Sequence, residues 1–257
     1  KLLGCKRPDT VHNLYFKRFP VQHEKDVIAI PTTCGTGSEC TNISVAIVKD
    51  EKDGVLTGGE TKLGLVSDDI IPNKVCLIPD LLKTLPYKPF ACSAIDALAH
   101  AIESFLSVRA NPFSKLYSRQ AILWLSEGLP KVQANPSDLE TWERVALGST
   151  FAGIAIGNAG CTAPHGIEHP ISGLLNVAHG EGLAAIYPEY MRFMRPHAQA
   201  DFAELARLLG AETSGLTEEE ASLRAVEQVD ALLKTLGIAF TLSDLGVRES
   251  QLDWLSR

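Results

Sequence analysis

Three of the chain's seven histidines fall within fifteen residues, in His165-Gly166-Ile167-Glu168-His169-Pro170 and in Ala178-His179-Gly180. A fourth, His100, follows Asp96 by four residues in the run Asp96-Ala97-Leu98-Ala99-His100-Ala101-Ile102-Glu103. On a helix, residues i and i+4 share a face with Cβ atoms about 5–6 Å apart, so a carboxylate and an imidazole at that spacing can grip one divalent cation. The neighbours of Asp96 are nearly all apolar, and a carboxylate buried among them is costly unless it is paired or bound to metal. His165 and His169 repeat the spacing on a second helix, which Pro170 is expected to kink or end. The plainer alternative is a set of surface or hydrogen-bonded core histidines with one helix-supporting Asp–His pair. Two i, i+4 pairs and a further histidine on glycine-rich, charge-poor segments favour a metal. One carboxylate with several imidazoles suits Fe2+ or Zn2+.

The same segment, His165-Gly166-Ile167-Glu168-His169, also fits HxxEH, a zinc-peptidase pattern with both histidines as ligands and Glu168 as general base. That reading leaves Asp96, His100 and the following loop unexplained. The loop is Pro31-Thr32-Thr33-Cys34-Gly35-Thr36-Gly37-Ser38-Glu39. It follows an apolar run, Val27-Ile28-Ala29-Ile30-Pro31, that suits a buried parallel strand. α/β proteins bind ligands at the C-terminal ends of such strands, where glycines allow close backbone approach and hydroxyls can meet phosphate or ribose. An ordinary strand-to-helix loop with Ser38 as N-cap is the alternative.

The elements that must position these residues divide in two. Residues 1–87 carry short β-type runs: Val27–Pro31, Ile43–Val48 and Lys74–Ile78, with turn signals at Asp53-Gly54 and Gly58-Gly59. From residue 88 to 257 the pattern is helical. Ala91–Ser107 has a 3.6-period apolar stripe, and Ser114–Leu125 continues it after Asn111-Pro112. Pro136-Ser137-Asp138 offers an N-cap for a helix over 139–156. Asp201–Leu209 and Glu218–Leu236 are amphipathic and followed by Gly210 and Gly237. Residues 240–257 read as one more short helix and an irregular end. The expected fold class is an α/β N-terminal portion followed by an all-α domain.

Composition removes other classes. The 257 residues are 45% apolar and 21% charged, which is ordinary for a folded protein. The net charge of −7 argues against binding to nucleic acid or to an anionic membrane surface. Val145–Pro164 is free of charge, but its glycines, Ser149, Thr150, Asn158 and Thr162 suit a helix inside a bundle better than a membrane span. The six cysteines form no CxxC pair and read as scattered reduced thiols. No apolar leader follows Lys1, and a cytoplasmic protein is expected.

Taken together, four segments resemble the iron-containing (group III) alcohol dehydrogenase family. Pro31–Glu39 looks like its PTTxGTGSE signature and Asp96–Glu103 like its DALxHAxE signature. His165–Pro170 and His179-Gly180 look like its HxxxHP and HG signatures. Order and spacing are kept over about 150 residues. The resemblance implies a partial dinucleotide-binding, Rossmann-like domain over 1–87 and a helical metal-binding catalytic domain over 88–257, an architecture similar to dehydroquinate synthase. It implies that Asp96, His100, His165 and His179 are metal ligands. It places Thr32, Thr33, Gly35, Thr36, Ser38 and Lys62 at the cofactor, and His169 near the nicotinamide as the catalytic proton relay.

The implied activity interconverts a small primary or secondary alcohol, or a diol, with its aldehyde or ketone. Fe2+, with Zn2+ as the alternative, acts as Lewis acid on the alcohol oxygen, and NAD or NADP takes the hydride. A homo-oligomer stays open. The family's GGGSxxD segment is missing, so the chain is expected to be truncated at its N-terminus, and at its C-terminus after Leu245-Gly246-Val247. Ile78-Pro79-Asp80 and Ala94 are smaller departures. A second expectation follows: a remnant that binds metal without NAD(P)-dependent activity.

Overall fold

The alanine-rich, charge-poor sequence around Asp96 builds a helix that neighbours can surround on every side. The structure, a computed structural model, describes residues 2, 5–6, 13–15, 20–52 and 55–252. Among the described residues, six strands precede the helices. β1 (Cys5–Lys6) pairs antiparallel with β2 (Gln22–His23), and β3 (Ile28–Ala29) pairs parallel with β6 (Lys74–Val75). β4 (Ile43–Lys52) and β5 (Val55–Val66) form a long antiparallel hairpin, with Ile47 opposite Lys62 and an irregularity between Lys49 and Glu51.

The helices follow in order: α1 (Tyr87–Leu106), α2 (Pro112–Ala134), α3 (Leu139–Ala159), α4 (Ala163–Leu175), α5 (His179–Met194), α6 (Gln199–Leu208) and α7 (Glu218–Thr235). Their starts follow local chemistry. Asn111 accepts hydrogen bonds from the N–H groups of Phe113 and Ser114, with Pro112 in the first turn of α2. Asp138 caps α3 by accepting from Thr141 N–H and Thr141 Oγ1, as expected from the sequence. Thr217 and Glu220 close a capping box on α7. Past the ends of α6 and α7, Gly210 and Gly237 take φ of 87° and 64°.

α1 is the hub. Ala97, Leu98, Ala99, Ala101 and Ile102 are fully buried in the main core, and α2, α3 and α5 pack around them. A helix that is apolar all round belongs at such a centre. α6 and α7 pack on each other, and α4 lies against α5 and the β5 strand. The charge-free stretch expected to sit inside a bundle does so: Val145, Ala152 and Ala155 of α3 are fully buried. No single helix among the described residues is long and apolar enough to cross a membrane, and α3 and α4 meet at a 106° bend. The six cysteines are thiols, with no disulfide among the described residues.

Two local expectations need correction, and two more are narrowed. Val27–Pro31 reads as a buried strand, yet β3 has two residues, and Ile28 and Ile30 are 61% and 48% exposed. Its parallel pairing is as expected, but among the described residues β6 is its single neighbour, and no layer of them covers these side chains. Gly58-Gly59 is no turn; it lies within β5, which pairs with β4 from Val55 opposite Lys52, and the other expected turn, Asp53-Gly54, lies outside the described residues. Pro170 does not end its helix. α4 continues to Leu175; the carbonyl that loses its partner belongs to Gly166, which is exposed to water. Beyond Phe240 there is no α-helix up to 251. Thr241 and Asp244 bond each other's backbone N–H, Gly246 at φ 89° ends the turn, and a single 3-10 turn follows at Glu249–Gln251; residues 253–257 lie outside the described ones.

The PTTxGTGSE-like loop is tied to the bundle by contact between glycines. Gly37 has φ 55°, and a Cβ on Gly153 of α3 would stand 2.4 Å from the Gly37 carbonyl oxygen. Gly153→Ala is therefore expected to cost about 1–3 kcal/mol of unfolding free energy. Gly166, exposed on α4, is the contrast: a methyl group added there would meet no atom within 4 Å. Gly166→Ala is expected to gain about 0.5–1 kcal/mol. Urea titration of the two variants checks both signs.

Candidate metal and cofactor site

Asp96 and His100 lie one turn apart on α1, as their spacing requires, and both are buried. α4 brings in His165, and α5 opens with His179. The three imidazoles converge on one oxygen. Asp96 Oδ1 lies 3.3 Å from His165 Nε2, 3.5 Å from His100 Nε2 and 3.5 Å from His179 Nε2. The His100 and His165 rings stack with centroids 4.5 Å apart. The four residues expected from the sequence as a ligand set thus meet in space.

His169 does not join them at Asp96. Its ring stands 5.5 Å from His179 and 6.5 Å from His165, beside the cluster. The i, i+4 pair on α4 therefore splits, with His165 turned to Asp96 and His169 turned to the cavity. This arrangement does not fit the HxxEH peptidase reading. Glu168 Oε2 is taken up by His179 and Lys62, and His165 and His169 do not share a donor group among the described residues.

Two buried carboxylates hold the outer nitrogens of the cluster. Glu103, fully buried on α1, accepts from His165 Nδ1 at 2.6 Å, from Thr162 N–H at 2.6 Å and from Thr162 Oγ1 at 3.1 Å. Glu168 Oε2 contacts His179 Nδ1. Cys161 Sγ also lies close, with its sulfur and a nitrogen of each of His100 and His165 within 4.8 Å of one another. Spacing alone does not single out Glu103 or Cys161 as site residues, and it offers Glu168 only as the general base of the HxxEH pattern. Glu103 carries the one usable signal, a charge on an otherwise apolar helix face.

The electrostatics follow from burial and proximity. Burial opposes the charge on Asp96, but His100, His165 and His179 outweigh it and hold the carboxyl well below the usual range. Burial likewise opposes a proton on His165, and its bonds to Asp96, Cys161 and Glu103 prevail, raising it well above an ordinary imidazole. His169 goes the other way. Burial, then the Lys62 and His179 charges, bring it down to about 4, so its ring is neutral at pH 7.

The donor set fits a divalent cation. Asp96, His165 and His179 each offer a donor atom within 4.8 Å of the others, and His100 Nε2 reaches the same Asp96 oxygen at 3.5 Å; Glu103 and Glu168 occupy the Nδ1 atoms of two of the three rings. Metal-binding histidines usually carry such an outer partner, which leaves the inner nitrogen's lone pair free. The cluster closes one end of a cavity of about 480 Å3, lined also by Thr36, Ser38, Lys62 and the hairpin residues Val45 and Ile47. That volume is within the range of small-molecule sites.

Of the cofactor residues implied by the resemblance, Thr36, Ser38, Lys62 and His169 line this cavity. Thr32 and Thr33 are exposed and outside its lining. Gly35 is buried against α1, where a Cβ would meet the Ser93 backbone at 2.9 Å. Ser38 caps no α-helix; it starts a three-residue 3-10 turn, and its N–H donates to Thr36 Oγ1. A larger, apolar groove of about 770 Å3 between α5, α7 and Phe240 contains none of these residues.

A buried carboxylate ringed by imidazoles thus lies beside a loop-and-hairpin cleft. The description "Fe-containing alcohol dehydrogenase family, C-terminal" matches residues 90–257, and "Iron-containing alcohol dehydrogenase" matches residues 3–79. The chain belongs to the iron-containing alcohol dehydrogenase family. It is 33% identical over 256 residues to 4-hydroxybutyrate dehydrogenase of Clostridium kluyveri, covering 98% of this chain and 66% of that protein. It is 32% identical over 231 residues to NAD-dependent methanol dehydrogenase of Bacillus methanolicus, covering 90% of this chain and 58% of that one. Among solved structures, the alcohol dehydrogenase from Oenococcus oeni superposes with a TM-score of 0.87 at 26% identity, covering 98% of this chain and 63% of that one. The chain spans less than two thirds of the length of each of these relatives.

Glu103 makes the site's rigidity measurable. Glu103→Ala leaves the Thr162 N–H and the His165 Nδ1 without their acceptor, and breaking a buried charged bond of this kind costs about 3 kcal/mol or more. A fall of that size in urea-derived stability is expected. Glu103→Gln, which keeps one acceptor oxygen, should lose less.

Proposed function

We propose that this chain carries the metal centre and part of the cofactor cleft of an oxidoreductase. The reaction interconverts a small primary or secondary alcohol, or a diol, and its aldehyde or ketone, with NAD or NADP. The observation that carries this reading is the convergence of three Nε2 atoms on Asp96 Oδ1 at the end of a cavity. Asp96, His100, His165 and His179 would hold the ion, Fe2+ in first place and Zn2+ in second. The relatives' names, one a methanol dehydrogenase that is NAD-dependent, support the substrate class and the dinucleotide.

When bound, the cation supplies Lewis acidity for an alcohol oxygen and the nicotinamide supplies a hydride acceptor. The chain's own residues do the rest. His169 lines the cavity and is neutral at pH 7, so it can take a proton from substrate or water and pass it on. Val45 and Ile47 give the cavity apolar walls against water, and Thr36 and Ser38 offer hydroxyls to the cofactor. The proposed division is a partial dinucleotide-binding domain over 1–87, of which β3–β6 is the parallel pair, and a helical metal domain over 88–257. Reduced thiols and a net negative charge support a cytoplasmic setting.

One observation favours a second reading, a metal-binding chain without NAD(P)-dependent turnover. Thr32 and Thr33 stand outside the cavity, and Gly35 is spent on packing. One pair of measurements separates the two. Metal content by mass spectrometry should be stoichiometric in the wild type and lost in His100→Ala/His179→Ala. NADH or NADPH formation from small alcohols should depend on that metal. Retained stoichiometric metal in the double variant would overturn the ligand assignment; metal without turnover would select the second reading.

A further inference from the structure

The family-like HxxxHP pattern leaves position 168 open, and the peptidase reading of Glu168 fails on geometry. Yet Glu168 is fully buried at the centre of the site. A carboxylate there is expensive unless it has a task. Its neighbours show one. His179 Nδ1 has two rival partners, the Glu168 carboxylate in direct contact and the Lys62 ammonium at 3.1 Å.

The rivals demand opposite tautomers. An ammonium is a donor only, so with Lys62 as its partner Nδ1 must accept, and the ring proton moves to Nε2. That proton would cover the nitrogen that faces Asp96. An ionised carboxylate is an acceptor only, so with Glu168 as its partner Nδ1 carries the proton and Nε2 keeps its lone pair. Glu168 Oε2 also draws Lys62 away, accepting from Nζ at 3.3 Å, while Ser172 Oγ takes a second Lys62 proton at 3.2 Å. Space for the carboxylate is provided by α5: at Gly182, a Cβ would stand 2.8 Å from Glu168 Oε1, an oxygen with no hydrogen-bond partner among the described residues.

We propose that Glu168 is a positioning residue that selects the Nδ1–H tautomer of His179 against Lys62, keeping His179 Nε2 free for the ion. The proposal rests on the metal reading above. It makes Glu168 to His179 what Glu103 is to His165, with the added task of neutralising a competing cation.

The test reads Co2+ affinity of the full chain, from visible absorption and competition with a chelator, and needs no turnover. Glu168→Ala should weaken Co2+ binding about 10–100-fold, the usual effect of losing an outer partner of a metal-binding histidine. Lys62→Met/Glu168→Ala should regain most of that loss, because the rival donor is gone; it also leaves no lone buried charge to unfold the chain. His179→Ala is the control for the underlying reading. Wild-type affinity in Glu168→Ala alongside weak binding in His179→Ala would overturn the proposal and leave the ligand set standing. Equal weakening in Glu168→Ala and in the Lys62→Met double variant would also overturn it, since a purely structural carboxylate gains nothing from removing Lys62. Unchanged binding in His179→Ala would remove the ligand set and the proposal together.

Discussion

One buried charge organises this molecule. Asp96 sits on an apolar helix buried along most of its length, where an unpaired carboxylate would cost several kcal/mol. On α1 itself, His100 is the neighbour that can balance it. The remaining compensation has to come from α4 and α5, and both deliver an imidazole to the same oxygen. The positions of α4 and α5 over α1 are thus bound by electrostatics as well as by packing. The close approach of α5 to α1 shows how far this goes: a Cβ on Gly180 would fall 2.2 Å from the Cys92 carbonyl oxygen.

A second tier of charges serves the first. Glu103 and Glu168 are as buried as Asp96, and each accepts from an imidazole Nδ1 and from a neighbour that ties down another element. For Glu103 that neighbour is Thr162, at the bend between α3 and α4. For Glu168 it is Lys62, on the β5 strand of the hairpin. The helical part and the hairpin are joined at the site itself, so the cleft wall and the candidate metal position share one hydrogen-bonded network. Buried polar networks of this kind favour a single arrangement of the elements that carry them.

The gathering of Asp96, His100, His165 and His179 at one place was legible in the sequence because its signal is local. Asp96 and His100 are one turn apart on a helix whose other residues are apolar, and His165, His169 and His179 crowd into one short segment. Helix starts were legible for the same reason, as Asp138 illustrates. The partners of those ligands were not legible. That His165 finds Glu103 and His179 finds Glu168 depends on how α1, α4 and α5 cross, which no spacing encodes. The glycines of the PTTxGTGSE-like loop read equally as a ligand cradle or as packing, and the structure gives Gly35 and Gly37 to the backbones of α1 and α3. Val27–Pro31 read as buried because its composition is apolar; burial also requires neighbours on both faces, and those are a property of the whole sheet.

The separation of 69 positions along the chain between Asp96 and His165 has a thermodynamic meaning. No short stretch of chain contains the site, so an unfolded chain offers an ion only scattered single imidazoles and carboxylates. The site exists once α1, α4 and α5 are docked, after the chain has met the loop-closure entropy of bringing them together. An ion held there adds its binding free energy to the docking of three helices at once, by mass action on the folded form. In this chain a metal would act as a clasp for the bundle core, and its loss would loosen the fold as a unit rather than one loop.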